Sequence, residues 1–263
     1  MSVLKLENIS KFVRGYAGSG QLILDDLNFE INIKEQANYV TAVLAPSGAG
    51  KTTLLKIISG VEEQTSGKIF LQGEEYKNAG GLVPFIPEKA SSFPWMNVAQ
   101  NIKFALELKY KAADAQKLNE LISFVGLTGY EDHFPDERSL GFRLRISLAR
   151  ALAVAPKLIS IDDPLRNLHG ETKKEIKQLI KKIPEEKNIP LLIATTNISE
   201  AIEMSDEIIL MKKHPGKILG IIDLNRELIS GKNQKYIEEV KQQITKSFAE
   251  QENSQLVSDA GIK

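Results

Sequence analysis

Cysteine is absent from this chain of 263 residues, and histidine occurs only three times. Without thiols the chain can form neither a disulfide nor a thiolate metal site, and three scattered histidines do not make a metal cluster. Net charge is absent as well, because 34 basic side chains balance 34 acidic ones. The composition therefore supplies no overall basic field, and we expect no nucleic-acid partner.

Long apolar runs are also missing. Stretches such as YVTAVLAP are too short to cross a bilayer, and the start, MSVLKLENISK, lacks the apolar segment of a secretion signal. We therefore expect a cytoplasmic protein with no direct membrane insertion, which would act at a membrane only by docking on another protein. A chain of this length is most simply one α/β unit with a substantial core.

Apolar periodicity separates several kinds of segment. Alternation in VLKLENI and LILDDLNFEINI predicts strands of a partly exposed antiparallel sheet, whereas the near-continuous NYVTAVLA predicts a buried parallel strand. Helical spacing dominates residues 89–155 and predicts an inserted helical subdomain. KLISID and PLLIAT, separated by the charged helix ETKKEIKQLIKKI, then restore βαβ alternation. The last part, residues 226–263, is predicted to be a polar amphipathic helix around KYIEEVKQQITKSF and a weakly ordered tail.

The loop APSGAGKTT, from Ala45 to Thr53, follows the buried strand and leads into a helix closed by Gly60. Gly50, Lys51 and Thr52 match the end of the pattern G-x-x-x-x-G-K-[ST], in which backbone N–H groups surround phosphates, a lysine reaches the β- and γ-phosphates and a hydroxyl binds Mg²⁺. Ala45 replaces the first glycine, which the loop tolerates if Ala45 keeps a negative φ. The alternative is an ordinary glycine-rich turn. The candidate nucleotide-binding residues are Ser47, Gly48, Ala49, Gly50, Lys51, Thr52 and Thr53.

Over about residues 3 to 225 the chain resembles the ATP-binding subunit of an ABC transporter. Four stretches carry the resemblance, in the family's order: APSGAGKTTLLKIISG, FIPEKASSFPWMNVAQNI, SLGFRLRISLARALAVAPKLISIDDP and LLIATTNISEAIEMSDEIILM. The resemblance implies an α/β fold with a P-loop NTPase (RecA-like) core, an antiparallel β subdomain and an inserted α-helical subdomain, within an ATP-binding domain of residues 1–225. FPWMNVAQNI is most similar to the nitrate, sulfonate and taurine importer branch.

The same resemblance assigns metal and catalytic roles. Asp162, at the end of LISID, would bind Mg²⁺ together with Thr52. Asp163 stands where the family carries the glutamate that polarises the attacking water. Aspartate is one methylene shorter, and a displacement of about 1 Å can lower a rate about a hundredfold. Glu88 replaces the Q-loop glutamine, where a carboxylate can also bind Mg²⁺ and assist catalysis; a solvated loop glutamate is the alternative.

The family's LSGGQ signature corresponds to RSLGF, Arg138 to Phe142. In the family this segment contacts the γ-phosphate held by the opposing subunit. Ser139 and Gly141 keep that role by resemblance, whereas Leu140 adds bulk where backbone approaches phosphate. Arg138 is either a further phosphate contact or a solvated side chain.

Two further positions differ from the family's residues, and the residue that stacks on adenine is open. Thr196 falls on the switch histidine; its hydroxyl can still bond the γ-phosphate but lacks the reach and charge of imidazole, and a simple turn at a strand end is the alternative. His169 replaces the D-loop aspartate. Tyr16 is the candidate for stacking on adenine, with Phe12 in the same region as the other aromatic, for which core packing is the alternative.

These positions leave two hypotheses open. In the first, the chain binds MgATP at a homodimer or heterodimer interface and hydrolyses it slowly, driving permease subunits from the inner face of the membrane. In the second, it closes around ATP to gate a membrane partner with little or no turnover. A small-molecule kinase is disfavoured by the continuation ISLARAL…ISIDDP. The C-terminal helix is a regulatory or dimer contact, or simply solvated.

Overall fold

A computed structural model describes residues 2–15, 20–32, 39–76, 81–89, 92–111 and 114–260, without the side chains of residues 137 and 251–260. Two sheets and a set of helices make up this part of the chain. The strands are β1 Ser2–Arg14, β2 Gly20–Asn32, β3 Val40–Leu44, β4 Ser66–Leu71, β5 Glu74–Glu75, β6 Phe85–Ile86, β7 Ile159–Asp162, β8 Leu191–Thr195, β9 Glu207–Lys212 and β10 Lys217–Asp223. The α-helices are α1 Lys51–Ile58, α2 Val98–Tyr110, α3 Ala115–Phe124, α4 Leu140–Ala153, α5 Gly170–Lys187, α6 Ile198–Met204, α7 Arg226–Ser230 and α8 Gln234–Ala260.

The smaller sheet is antiparallel, in the order β2-β1-β4-β5. Its alternating residues place one face against the core, where Leu4, Leu6, Leu27 and Phe29 are buried, and leave the other face to solvent. Leu6 lies opposite Phe29 in the register of β1 and β2. The antiparallel subdomain expected from the alternation is confirmed.

The larger sheet has the order β10-β9-β3-β8-β7-β6, and only β10 runs antiparallel to its neighbour. All five residues of β3 are buried, as its continuous apolar run predicts. In the register, Leu44 is paired with Thr195, and Asp162 with Ala194. The carboxyl ends of β3, β7 and β8 therefore meet at one edge of the sheet, where α/β proteins of this kind bind ligands.

Helices α2, α3 and α4 form the inserted helical subdomain, and their apolar faces pack into one cluster with β7 and α5. Asn97 begins α2 with a reciprocal capping box to Gln100. The fully buried Asn101 contacts the backbone of Phe93, Met96 and Asn97. These contacts fix the loop that enters the subdomain.

The C-terminal region differs from the sequence-based expectation. Helices α6 and α7 were not anticipated, because seven and five residues are too few to show helical periodicity. The backbone of α8 continues to Ala260, through residues that include alanine, glutamate and glutamine. Helix α8 is not simply solvated, since Val240 and Ile244 are buried against the sheet and α6. No described helix has the length and hydropathy needed to cross a membrane.

Candidate functional site

The loop between β3 and α1 curves around a central lysine. Lys51 Nζ donates hydrogen bonds to the carbonyl oxygens of Ala45, at 2.9 Å, and Pro46, at 3.1 Å. Gly48 and Gly50 have φ values of 80° and 88°, which side-chain-bearing residues rarely adopt, whereas Ala45 stays out of that region. The replacement of the first glycine is therefore compatible with the loop.

Burial sets the charge properties of Lys51. Its side chain is only 8% exposed, and this desolvation lowers the pKa of the ammonium, while the charges of Asp163 and Asp162 act in the opposite direction. The two carbonyl oxygens accept hydrogen bonds from two of the three N–H groups of the ammonium and leave its charge in place. An incoming phosphate would supply the missing negative charge at this point.

The turn before β10 supports the loop from behind. Gly216 N donates to Ile23 O at 2.8 Å, and Asp25 N donates to Gly216 O at 2.9 Å, so the turn is tied to β2. A Cβ atom on Gly216 would lie 2.4 Å from the carbonyl oxygen of Ala49 in the phosphate loop. Only glycine fits this approach of two backbones.

Gly216→Ala is therefore expected to destabilise the fold by about 2 kcal/mol and to weaken nucleotide binding, because the clash is with backbone rather than with a movable side chain. Gly220→Ala, in β10, is the matched control, since a Cβ there meets nothing within 4 Å. Urea unfolding and nucleotide titration of both variants test this expectation. Equal stability of the two would contradict it.

The metal-binding candidates are in direct contact. The Thr52 hydroxyl donates to Asp162 Oδ2 at 2.5 Å, joining the first turn of α1 to the end of β7. No group of three or more histidine, aspartate or glutamate side chains suited to holding a metal alone occurs in the described residues. One hydroxyl and one carboxylate fit Mg²⁺, which prefers oxygen ligands and is usually completed by phosphates and water.

Asp163 is held in an unusual backbone conformation directly after β7. Its φ is 41°, a left-handed value that is uncommon for a residue with a side chain. Its N–H donates to Ala194 O at 2.9 Å, and its Oδ1 accepts a weak hydrogen bond from the Thr195 hydroxyl at 3.4 Å. Asp163 is also among the residues that line the cleft beside the phosphate loop.

Burial raises the pKa values of both neighbouring carboxyls, Asp162 and Asp163. A carboxyl whose pKa is raised on folding stabilises the fold below its unfolded pKa, and that contribution is lost as the pH rises through the folded pKa. At neutral pH the ionised side chain of Asp163 therefore opposes folding.

Asp163→Asn is accordingly expected to raise the midpoint of thermal unfolding at pH 7 by about 2 °C, because the amide removes a buried charge and keeps an acceptor for Thr195. The gain should shrink as the pH falls toward 4, where the wild-type carboxyl is increasingly protonated. Thermal unfolding measured between pH 4 and 8 gives the answer. A gain that is independent of pH would contradict this electrostatic explanation.

Glu88 is held at the rim of the cleft by the turn that follows Asp163. Arg166 Nη1 donates to its Oε2, and Asn167 Nδ2 donates to its Oε1, both at 3.3 Å. Glu88 is therefore partly exposed and held by two side chains, and among the hydrogen bonds of the described residues none joins it to Thr52 or Asp162.

One cleft of about 280 Å³ brings most of the candidates together. Thr196 is exposed and lines its edge, beside Asn197, which begins α6 by accepting a hydrogen bond from Glu200 N. The lining residues are Ile23, Ser47, Gly48, Gly50, Lys51, Thr52, Thr53, Glu88, Asp162, Asp163, Arg166 and Thr196.

Other candidates lie elsewhere. Ala49 is a buried residue of the phosphate loop and does not line the cleft, and neither do the signature residues Ser139 and Gly141. Ser139 begins α4 by accepting a hydrogen bond from Phe142 N at 3.3 Å, whereas Gly141 is packed so closely that a Cβ would meet Thr172 Cγ2 at 2.5 Å.

The remaining candidates are two aromatic residues, one signature residue and one D-loop residue. Tyr16 lies outside the described residues, and Phe12 is 44% exposed, which does not fit the alternative that it packs in the core. Arg138 is exposed and its guanidinium lies 5.8 Å from the Tyr130 ring centroid. His169 is exposed and precedes α5.

Sequence reasoning missed three residues that shape the site. Arg166 and Ile23 line the cleft, and Thr195 contacts Asp163. Arg166 lies three residues after Asp163, so the sequence could have predicted that it lies near Asp163. Ile23 comes from the antiparallel sheet, and nothing in the local sequence shows that this strand passes the phosphate loop.

The fold and the cleft define a P-loop nucleotide-binding protein. A family model described as ABC transporter matches residues 24–166. An aliphatic sulfonates import ATP-binding protein of Bacillus cereus is 32% identical over 245 residues, which are 93% of this chain and 95% of that protein. An uncharacterised ABC transporter ATP-binding protein of Methanocaldococcus jannaschii is 33% identical over 85% of this chain and 83% of that protein.

A solved structure agrees with these sequence matches. It is a dimeric post-hydrolysis state of an ATP-binding cassette bound to ADP and Pi, with a TM-score of 0.73 and 25% identity, covering 84% of this chain and 99% of that one. The chain belongs to the ABC transporter family, and its α/β fold is that of an ATP-binding cassette.

Proposed function

We propose that this chain is the ATP-binding subunit of an ABC importer and that it binds MgATP through the cleft described above. The observation that carries the proposal is the convergence of Lys51, the Thr52–Asp162 pair and Asp163 on one cleft at the carboxyl ends of β3, β7 and β8. Phosphates would bind the loop and Lys51, and Mg²⁺ would bridge them to Thr52 and Asp162.

Hydrolysis is proposed to be slow. Asp163 faces the cleft with a carboxylate one methylene shorter than the family's glutamate, and Thr196 brings a neutral hydroxyl to the cleft edge. Glu88 would assist only after leaving Arg166 and Asn167. Each change weakens charge placement in the transition state while leaving the binding groups in position.

Two partners follow from this function. Ser139 begins α4 at an exposed position outside its own cleft, which suits contact with a nucleotide held by a second ATP-binding subunit. A groove of about 270 Å³ with Phe85, Phe104 and Leu108 in its wall would receive transmembrane permease subunits. The chain would then sit on the cytoplasmic face of the membrane, with residues 1–225 as the ATP-binding domain and residues 226–263 as a C-terminal extension.

The second candidate function is an ATP-binding module that gates a membrane partner with little or no turnover. The same shortened Asp163 favours it. Both candidates predict nucleotide binding, so they differ in whether ATP is consumed when the partner works.

Proteoliposomes that contain this chain and the permease encoded by neighbouring genes separate the two. An importer should accumulate an aliphatic sulfonate in an ATP-dependent manner, with phosphate released in proportion, and Lys51→Ala should abolish both. Taurine and nitrate serve as competing solutes, because the FPWMNVAQNI segment resembles importers of those compounds too. ATP binding with no uptake and no phosphate release would support the gating module instead.

A further inference from the structure

Arg166 brings a second basic side chain to the nucleotide cleft. It lies in the turn after β7, and its backbone N–H donates to Asp163 O at 3.3 Å. Lys51 approaches from the phosphate loop, whereas Arg166 approaches from the side of β7 and Glu88. Among the described residues that line the cleft, these two are the basic ones, and they come from different elements.

The Arg166 side chain is held loosely. It makes one ion-pair contact with Glu88, at 3.3 Å, and half of the side chain is exposed. A single exposed contact of this length contributes little and exchanges easily. Asn167 holds the other oxygen of Glu88, so the carboxylate keeps a partner when the guanidinium leaves.

A polyphosphate that enters the cleft needs cationic partners there, because carboxylates outnumber basic side chains in the lining. Two cations face three carboxylates, Glu88, Asp162 and Asp163. A polyphosphate would be a stronger partner for the guanidinium than Glu88, because it carries more negative charge. The planar N–H groups of the guanidinium also match the spacing of phosphate oxygens.

We propose that Arg166 binds the γ-phosphate of ATP within its own subunit and thereby makes the site prefer ATP to ADP. This proposal rests on the proposed nucleotide-binding function. Thr196 supplies a neutral hydroxyl where the family has histidine, and Arg166 supplies a cation from the neighbouring wall. ADP lacks the phosphate that Arg166 would reach, whereas Lys51 and the loop serve both nucleotides.

The test measures dissociation constants of the full chain for ADP and for a non-hydrolysable ATP analogue, both with Mg²⁺. Arg166→Ala is expected to weaken binding of the analogue by about tenfold and binding of ADP by less than about twofold. Arg166→Lys should recover part of the difference. Lys174→Ala is the control, because it removes a basic side chain that is 71% exposed on α5 and pairs with Glu171; it should change neither constant.

The outcomes separate this proposal from the function on which it rests. If Arg166→Ala weakens both nucleotides equally, or neither, the assignment of Arg166 to the γ-phosphate is overturned while nucleotide binding stands. If the wild-type chain binds neither nucleotide, or Lys51→Ala binds them as well as the wild type does, the nucleotide site itself is overturned. Selective loss of the ATP analogue supports both.

Discussion

Lys51→Ala is expected to weaken MgATP binding by about a hundredfold or more. The ammonium is buried beneath the phosphate loop, where its contacts are two neutral carbonyl oxygens. A bound phosphate would add a charge-assisted hydrogen bond in a poorly solvated site, and such bonds contribute about 1.5–3 kcal/mol each. Isothermal titration calorimetry with the purified full chain measures the change.

Two variants control this result. Lys51→Met keeps most of the aliphatic stem and should lose as much affinity as Lys51→Ala, because the ammonium is the group that acts. Lys56→Ala removes a lysine from the last turn of the same helix, outside the cleft lining, and should bind MgATP within about threefold of the wild type. Unchanged MgATP affinity in both Lys51 variants would show that this lysine does not bind the nucleotide.

Asp163→Glu is expected to increase the rate of ATP hydrolysis by about tenfold. The longer side chain restores the reach of the family's glutamate at a position that already faces the cleft. A carboxylate misplaced by about 1 Å can lower a rate about a hundredfold. We expect a smaller gain than this, because Thr196 and the altered signature would still slow the reaction. Steady-state phosphate release at saturating MgATP gives the comparison.

The matched control is Asp163→Gln, which adds the same length without the charge. It should release phosphate no faster than the wild type, because a neutral amide cannot polarise water as a base does. Lys51→Ala combined with Asp163→Glu should abolish the gain. A gain shared by the glutamine variant would show that side-chain length rather than the carboxylate raises the rate, and would contradict the role of Asp163 as the base.

The sequence predicted the architecture well, since each main element has its own local pattern. The buried run in β3, the glycine loop and the spacing in α1 are contiguous in the chain, so one stretch indicates strand, loop and helix together. Short elements had weaker signals. The asparagine caps of α6 and α7, Asn197 and Asn225, are visible in the sequence, but periodicity could not reveal helices so short.

The cleft was only partly predictable for a different reason. Motifs place Lys51, Asp162 and Asp163 through their own strands and loops. By contrast, the Gly216 turn contacts the phosphate loop although it lies more than 160 residues further along the chain. Likewise, Glu88, after β6, forms an ion pair with Arg166, after β7. Such contacts depend on tertiary packing, which local sequence patterns do not reveal.

Steady-state phosphate release by the purified wild-type chain and by Asp163→Asn, with MgATP affinity measured on the same samples, tests the central claim most directly. The claim is that MgATP binding in this cleft is unimpaired, whereas hydrolysis is slow and depends on Asp163. It predicts that phosphate release falls by at least about tenfold in Asp163→Asn while MgATP affinity stays within about threefold of the wild type. Equal phosphate release from the two proteins would contradict it.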